Sequence, residues 1–138
     1  MKRFLIDARS LMLLMKTASV QTELEHLRTS FILDLTFYEV GNAIWKETCL
    51  SKFLTKNESE VLQNRIQTVL ARTDKILSEA SNFQKILDIS ESEKLSFYDS
   101  SYLFAAKEKG LVLVTEDKEL ETKAEKQVEV KNVATLLS

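Results

Sequence analysis

Leu95-Ser96-Phe97-Tyr98-Asp99-Ser100-Ser101-Tyr102-Leu103-Phe104-Ala105-Ala106-Lys107-Glu108-Lys109-Gly110-Leu111-Val112-Leu113-Val114-Thr115-Glu116-Asp117 reads as a helix, a glycine stop, a buried strand and an acid beyond the strand. Residues 102 to 106 are mostly apolar and helix-compatible. A helix ending in Lys107 and Lys109 should stop at Gly110, because glycine takes the left-handed cap conformation at little cost. Leu111 to Val114 is apolar without alternation, the pattern of a strand covered on both faces. In an open parallel sheet, ligands gather beyond the carboxyl ends of the strands. Asp117 falls there, and Asp99, at the start of the helix, is a candidate for the same neighbourhood.

The rest of the chain repeats this alternation. Arg3 to Ile6 reads as a strand ending at Asp7, and residues 8 to 16 place Leu11, Leu14 and Met15 on one helical face. Residues 19 to 28 do the same with Val20, Leu24 and Leu27, with Ser19 as a cap and Thr22 in place of the usual acid. Ser30 to Leu33 is a second strand, followed by Asp34. Thr36 with Glu39 offers a capping box for a helix from Phe37 to about Thr48 carrying Val40, Ala43, Ile44 and Trp45. Thr55 with Glu58 offers another, for a helix bearing Leu62, Ile66, Val69 and Leu70. Ile76, Ala80, Phe83 and Leu87 form one stripe at helical spacing, and predict a further helix packed on the last as a hairpin. Val128 and Val130 alternate with charges, as in an edge strand; Val133, Leu136 and Leu137 fit a short terminal turn of helix. Short connections between alternating elements predict an α/β domain with a parallel sheet of four strands and helices on both faces.

The 138 residues fit one domain spanning 1–138, with 44% hydrophobic and 29% charged residues. A net charge of −2 advertises no global attraction for nucleic acid, though a local basic rim around an acidic centre remains open. The single cysteine, Cys49, fits a reducing, cytoplasmic compartment, and only His26 is available as its base. No apolar run approaches the ~20 residues of a membrane span. Asp7 ends the first apolar run too early for a signal peptide.

Four acids fall at equivalent places. Asp7 ends a strand, Glu39 lies at the start of the helix after the second strand, Asp99 opens the helix before the third, and Asp117 follows that strand. Taken singly, each has an ordinary structural explanation. Asp7 and Glu39 suit helix caps, Asp99 suits a helix dipole, and Asp117 suits a turn. Taken jointly, carboxylates crowded on one edge must shift their pKa values, spread apart or hold cations. Hard divalent ions with oxygen ligands activate water for phosphodiester cleavage; no histidine or cysteine is placed to suggest zinc. Asn42, three residues after Glu39, shares its helical face. Ser10 follows Asp7 by three, and Thr115 precedes Asp117 by two. These are candidates to hold the acids or their bound water, or to bond only to backbone. Arg9, Lys46 and Lys118 flank the acids and could meet phosphates or simply be solvated. Tyr38, Tyr98 and Tyr102 could stack bases, though half-buried packing is the commoner use of tyrosine.

Phe4-Leu5-Ile6-Asp7-Ala8-Arg9-Ser10, Tyr38-Glu39-Val40-Gly41-Asn42-Ala43-Ile44, Phe97-Tyr98-Asp99-Ser100-Ser101-Tyr102 and Leu113-Val114-Thr115-Glu116-Asp117, in this order, resemble the motifs of PIN domains, in particular the VapC-type toxins of toxin–antitoxin pairs. The resemblance spans nearly the whole chain. It implies a three-layer α/β/α sandwich around a central, mostly parallel sheet of about four to five strands. It further implies a Mg²⁺- or Mn²⁺-dependent endoribonuclease, with Asp7, Glu39, Asp99 and Asp117 as the catalytic set and Asp7, Asp99 and Asp117 as metal ligands. Ser10, Asn42 and Thr115 would support them; Arg9 and Lys118 would touch RNA. A homodimer and inhibition by a cognate antitoxin are also implied. Arg9 and Glu116 are the departures from the motifs, and neither removes a ligand. Two other readings stay open: a catalytically silent PIN-like module binding RNA or protein, and a phosphoacceptor using Asp7, which lacks the adjacent acid such proteins want.

Overall fold

A computed structural model describes residues 2–17, 19 and 25–137. Five short strands, β1 (Phe4–Ile6), β2 (Ser30–Leu33), β3 (Asp74–Ile76), β4 (Val112–Val114) and β5 (Val130–Lys131), pair in the order β3-β2-β1-β4-β5. Every pairing is parallel. The helices are α1 (Ala8–Thr17), α2 (Asp34–Trp45), α3 (Lys56–Arg72), α4 (Phe83–Glu93), α5 (Phe97–Lys109), α6 (Lys118–Ala124) and α7 (Val133–Leu137).

Strand alternation splits the core into two layers. Ile6, Ile32 and Val114 face one way, onto α1, α2, α3 and α7. Leu5, Leu33 and Leu113 face the other way, onto α5 and α6. Leu11, Leu14 and Met15 are fully buried, as the spacing of α1 requires. Both layers are mainly aliphatic, so the central strands carry apolar residues on both faces. The result is the three-layer α/β/α arrangement, with five strands in the sheet.

The predicted signals at α3 and α5 hold. Thr55 Oγ1 accepts from Glu58 N at 3.2 Å, and Glu58 Oε1 accepts from Thr55 N at 3.0 Å. Gly110 ends α5 at φ 65°, ψ 41°. Val133–Leu137 forms the terminal turn of helix.

Three local expectations are corrected. Residues 74 to 76 form edge strand β3, a turn at Ala80–Asn82 follows, and α4 begins only at Phe83. The stripe from Ile76 to Leu87 therefore does not belong to one helix. The predicted hairpin also fails: β3 separates α3 from α4, and α4 packs on α5 while α3 packs on α1. Finally, α2 starts at Asp34, so Thr36 is its third residue and not its cap. Most of the helix expected over 19 to 28 lies outside the described residues, including Val20, Thr22 and Leu24; residues 25–27 are helical, and Leu27 packs on the first layer.

Candidate active site

Chain order reverses between β1 and β4: from β1 the sheet grows one way to β2 and β3, and from β4 the other way to β5. Loops on the two sides diverge there and leave a crevice at the carboxyl edge. Asp7 follows β1 directly and donates its backbone N–H to Val114 O of β4 at 3.1 Å. Helices run back antiparallel to the strands, so α5 opens at this same edge, with Ser96 as its cap and Asp99 in its first turn. Asp117 caps α6 beyond β4, its Oδ1 accepting from Glu119 N at 2.8 Å and Leu120 N at 3.1 Å. Glu39 lies in the second turn of α2, beyond β2.

Asp7 is 8% exposed. Its Oδ1 accepts from Ser10 N at 2.9 Å. Burial raises its pKa; the hydroxyl of Thr115 and the bond from Ser10 oppose the rise, while Glu116 adds to it. Thr115 is buried, and its Oγ1 also accepts from Asp117 N at 3.1 Å, so one threonine ties the two acids together. Ser10 Oγ is fully buried and finds no partner of hydrogen-bond geometry.

Asp99 is pushed up to about 6, by burial first and then by the charges of Asp117, Asp7 and Glu119. Burial also raises Glu39; Asp7 and Asp99 add to the rise, and the Tyr102 hydroxyl lowers it. Each of the four acids thus feels at least one of the others. Among the described residues no lysine or arginine forms an ion pair with any of them.

The second turn of α2 removes one structural explanation. Because Thr36 is not the helix cap, Glu39 has no capping-box role, and Thr36 Oγ1 itself accepts from Leu33 N at 3.1 Å. Glu39 Oε1 instead accepts from Tyr102 Oη at 2.7 Å. Tyr102 is 1% exposed, and its hydroxyl also lies 2.6 Å from Thr36 Oγ1. The sequence offered Tyr102 for base stacking or packing, without this bond to Glu39. The available signal was its place three residues after Asp99, on the same helical face.

The remaining candidates are distributed as follows. Asn42 is exposed and lines, with Tyr38, Glu39, Lys46 and Tyr98, a hollow of about 610 Å³ beside the acids. It makes no hydrogen bond to Glu39. Tyr38 and Tyr98 are 72% and 59% exposed, against the expectation of packing, whereas Tyr102 is fully buried in the core. Arg9 is exposed on α1, and Lys118 pairs with Glu121 at 3.3 Å. Glu116 accepts from Val133 N at 2.7 Å and so caps α7. Cys49 is exposed in a π-helical turn at Lys46–Leu50.

The four acids offer oxygen donors, which suit a hard divalent ion that keeps most of its waters. The lack of any paired cation among the described residues agrees with that fit. Among the described residues, however, no three acids stand at the spacing of ligands to one ion. Asp117 Oδ1 is turned to its helix and Glu39 Oε1 to Tyr102.

Over 135 residues the chain is 33% identical to the protein named Exonuclease VapC9 of Pyrobaculum aerophilum, covering 98% of this chain and 96% of that one. The chain belongs to the VapC-type PIN-domain family. A crystal structure of PAE2754 from Pyrobaculum aerophilum superimposes with a TM-score of 0.83 at 32% identity, covering 99% of this chain and 87% of that one. Two more distant structures share the fold of the VapC-type chain. FitAcB from Neisseria gonorrhoeae gives a TM-score of 0.62 at 17% identity, covering 95% and 98% of the two chains. FitAB bound to the IR36 DNA fragment gives 0.65 at 15% identity, covering 94% of each. No family model matches the chain.

Proposed function

We propose that this VapC-type protein is a Mg²⁺- or Mn²⁺-dependent endoribonuclease, the toxin of a toxin–antitoxin pair. The observation that supports it is that Asp7, Glu39, Asp99 and Asp117 lie along the carboxyl edge at the reversal point of the sheet, the first three raised in pKa and none ion-paired to a lysine or arginine among the described residues. The nuclease named in its Pyrobaculum relative agrees with that chemistry.

Asp7, Asp99 and Asp117 would hold the ion, with Ser10 and Thr115 fixing Asp7 and Asn42 on the rim. A hydrated divalent ion here supplies an activated water and neutralises charge on the leaving oxygen. Glu39, held at one oxygen by Tyr102, would use the other to orient water. Arg9, exposed on α1, and Lys118, which would have to leave Glu121, would meet phosphates of the strand. RNA, a cognate antitoxin and a second copy of the chain are the proposed partners.

Incubation of pure protein with circular and end-labelled RNA, in Mn²⁺, Mg²⁺ or EDTA, tests this reading. Divalent-dependent cutting of the circle, lost in Asp7→Asn, is expected. Cutting that survives in EDTA or in Asp7→Asn would falsify it, and degradation of linear RNA alone would replace the endonuclease with an exonuclease. The open spacing of the acids favours one rival, a silent binding module. Calorimetry decides for that rival if no divalent ion binds above millimolar affinity.

A further inference from the structure

We infer that Thr36 and Tyr102 are positioning residues that aim Glu39 through a one-way chain of hydroxyls. This inference rests on the nuclease reading of Glu39. The protons can be placed by counting. Tyr102 has one hydroxyl proton, and a carboxylate only accepts, so Tyr102 Oη donates to Glu39 Oε1 at 2.7 Å. The 2.6 Å contact between Tyr102 Oη and Thr36 Oγ1 must then be donated by Thr36. Thr36 Oγ1 receives the backbone N–H of Leu33 at 3.1 Å, from the last residue of β2. The chain therefore runs Leu33 N–H to Thr36 to Tyr102 to Glu39, with every proton committed.

Its location argues for purpose. Thr36 and Tyr102 are 0% and 1% exposed, so water does not compete for these bonds. The chain links α2, α5 and the end of β2, which otherwise place Glu39 and Asp99 independently. A carboxylate held at one oxygen keeps the other in a fixed direction, and a donor to the charged form keeps it charged. Phenylalanine would fill the Tyr102 site equally well as packing. The hydroxyl is needed for its two polar partners, the Glu39 carboxylate and the buried Thr36 hydroxyl.

The chain is tested first without activity. The Tyr102 hydroxyl proton is expected as a downfield, exchange-protected NMR signal that moves in both Glu39→Gln and Thr36→Val. A signal that is missing, or unmoved by either change, overturns the inference whether or not RNA is cut. Activity is tested next, with Asp7→Asn as the blank. Tyr102→Phe and Thr36→Val should each lower kcat about 10- to 100-fold, the usual effect of removing a group that orients a catalytic one, with KM changed less than ~2-fold. Thr36→Ser should restore the rate. In a Glu39→Gln background, Tyr102→Phe should lower kcat no further. The same loss in both backgrounds shows that the hydroxyl acts through the fold and overturns the positioning role. Wild-type protein that cuts no RNA, or cuts it equally well as Asp7→Asn, removes the nuclease reading and this role with it. Normal cutting by Tyr102→Phe removes the role alone.

Discussion

Asp99→Asn should stabilise the cation-free protein while abolishing cleavage. Asp99 is partly buried in the first turn of α5, facing Asp117, Asp7 and Glu119, and its carboxyl is pushed up to about 6. Holding a carboxyl there, instead of near the ~4 of an unfolded chain, corresponds to at most about 3 kcal/mol. Partial exposure screens part of this. The helix dipole, which favours an acid in the first turn, takes back about 0.3–1 kcal/mol when the charge is removed. Burial of the charge, with repulsion from the neighbouring acids added to it, remains the larger effect, and the net gain is about 1–2 kcal/mol, or about 3–8 °C in melting temperature. The sign with pH follows from the raised value. Folded Asp99 binds its proton more tightly than unfolded Asp99, so wild type loses stability as pH rises from about 4 through 6. The advantage of the variant is full above about pH 6 and fades below it. Urea unfolding in EDTA, at about pH 7.5 and about pH 4.5, measures both ends. Adding Mn²⁺ should raise the midpoint of wild type and leave the variant nearly unchanged. An Asn variant no more stable than wild type at neutral pH, or equally favoured at both pH values, would refute charge repulsion at this edge.

Cleavage at limiting Mn²⁺ should weaken as pH falls below about 6, because protons compete for Asp99; a flat titration from pH ~5 to ~7 would count against Asp99 as a ligand. Gly110→Ala should cost about 1 kcal/mol by urea unfolding, since φ is +65° and no atom lies within 4 Å of the added carbon, leaving backbone strain as the whole cost. Asp34→Ala should loosen the β3 edge specifically: Asp34 accepts from Ser78 N and Ser78 Oγ, both at 2.9 Å, and faster hydrogen exchange of residues 74–78 without change in β1 or β4 is the expected result.

The central half of the fold was legible because its strands obey a strict rule. Leu5-Ile6, Ile32-Leu33 and Leu113-Val114 are buried on both faces, so they carry uninterrupted apolar residues bounded by an acid or a glycine. β3 obeys no such rule. Asp74 and Lys75 are exposed and only Ile76 turns inward, because an edge strand has one free side and needs little apolar surface. Ile76, Ala80, Phe83 and Leu87 then mimic a helical stripe by coincidence of spacing. What breaks it lies far away in sequence: Asp34 takes Ser78 across 44 positions, a tie that no local window contains.

The same division applies to the acids. Asp7, Asp99 and Asp117 could be assigned to one edge because each adjoins an element whose direction is set by the parallel sheet. Glu39 could not be separated from a helix cap until the true start of α2 was known. That start is set by Leu33, whose N–H is taken by Thr36, and the shift frees Glu39 to meet Tyr102 across 63 positions. A threonine and an acid three apart therefore supported the wrong pairing for a local reason. The physical criterion that separates the two cases is the buried donor opposite the carboxylate: a capping glutamate answers a backbone N–H, as Glu58 does with Thr55 at 3.0 Å, whereas Glu39 answers a side chain from another helix. An acid held that way is fixed at one oxygen by tertiary structure and not by its own helix, and it still feels the charges of Asp7 and Asp99.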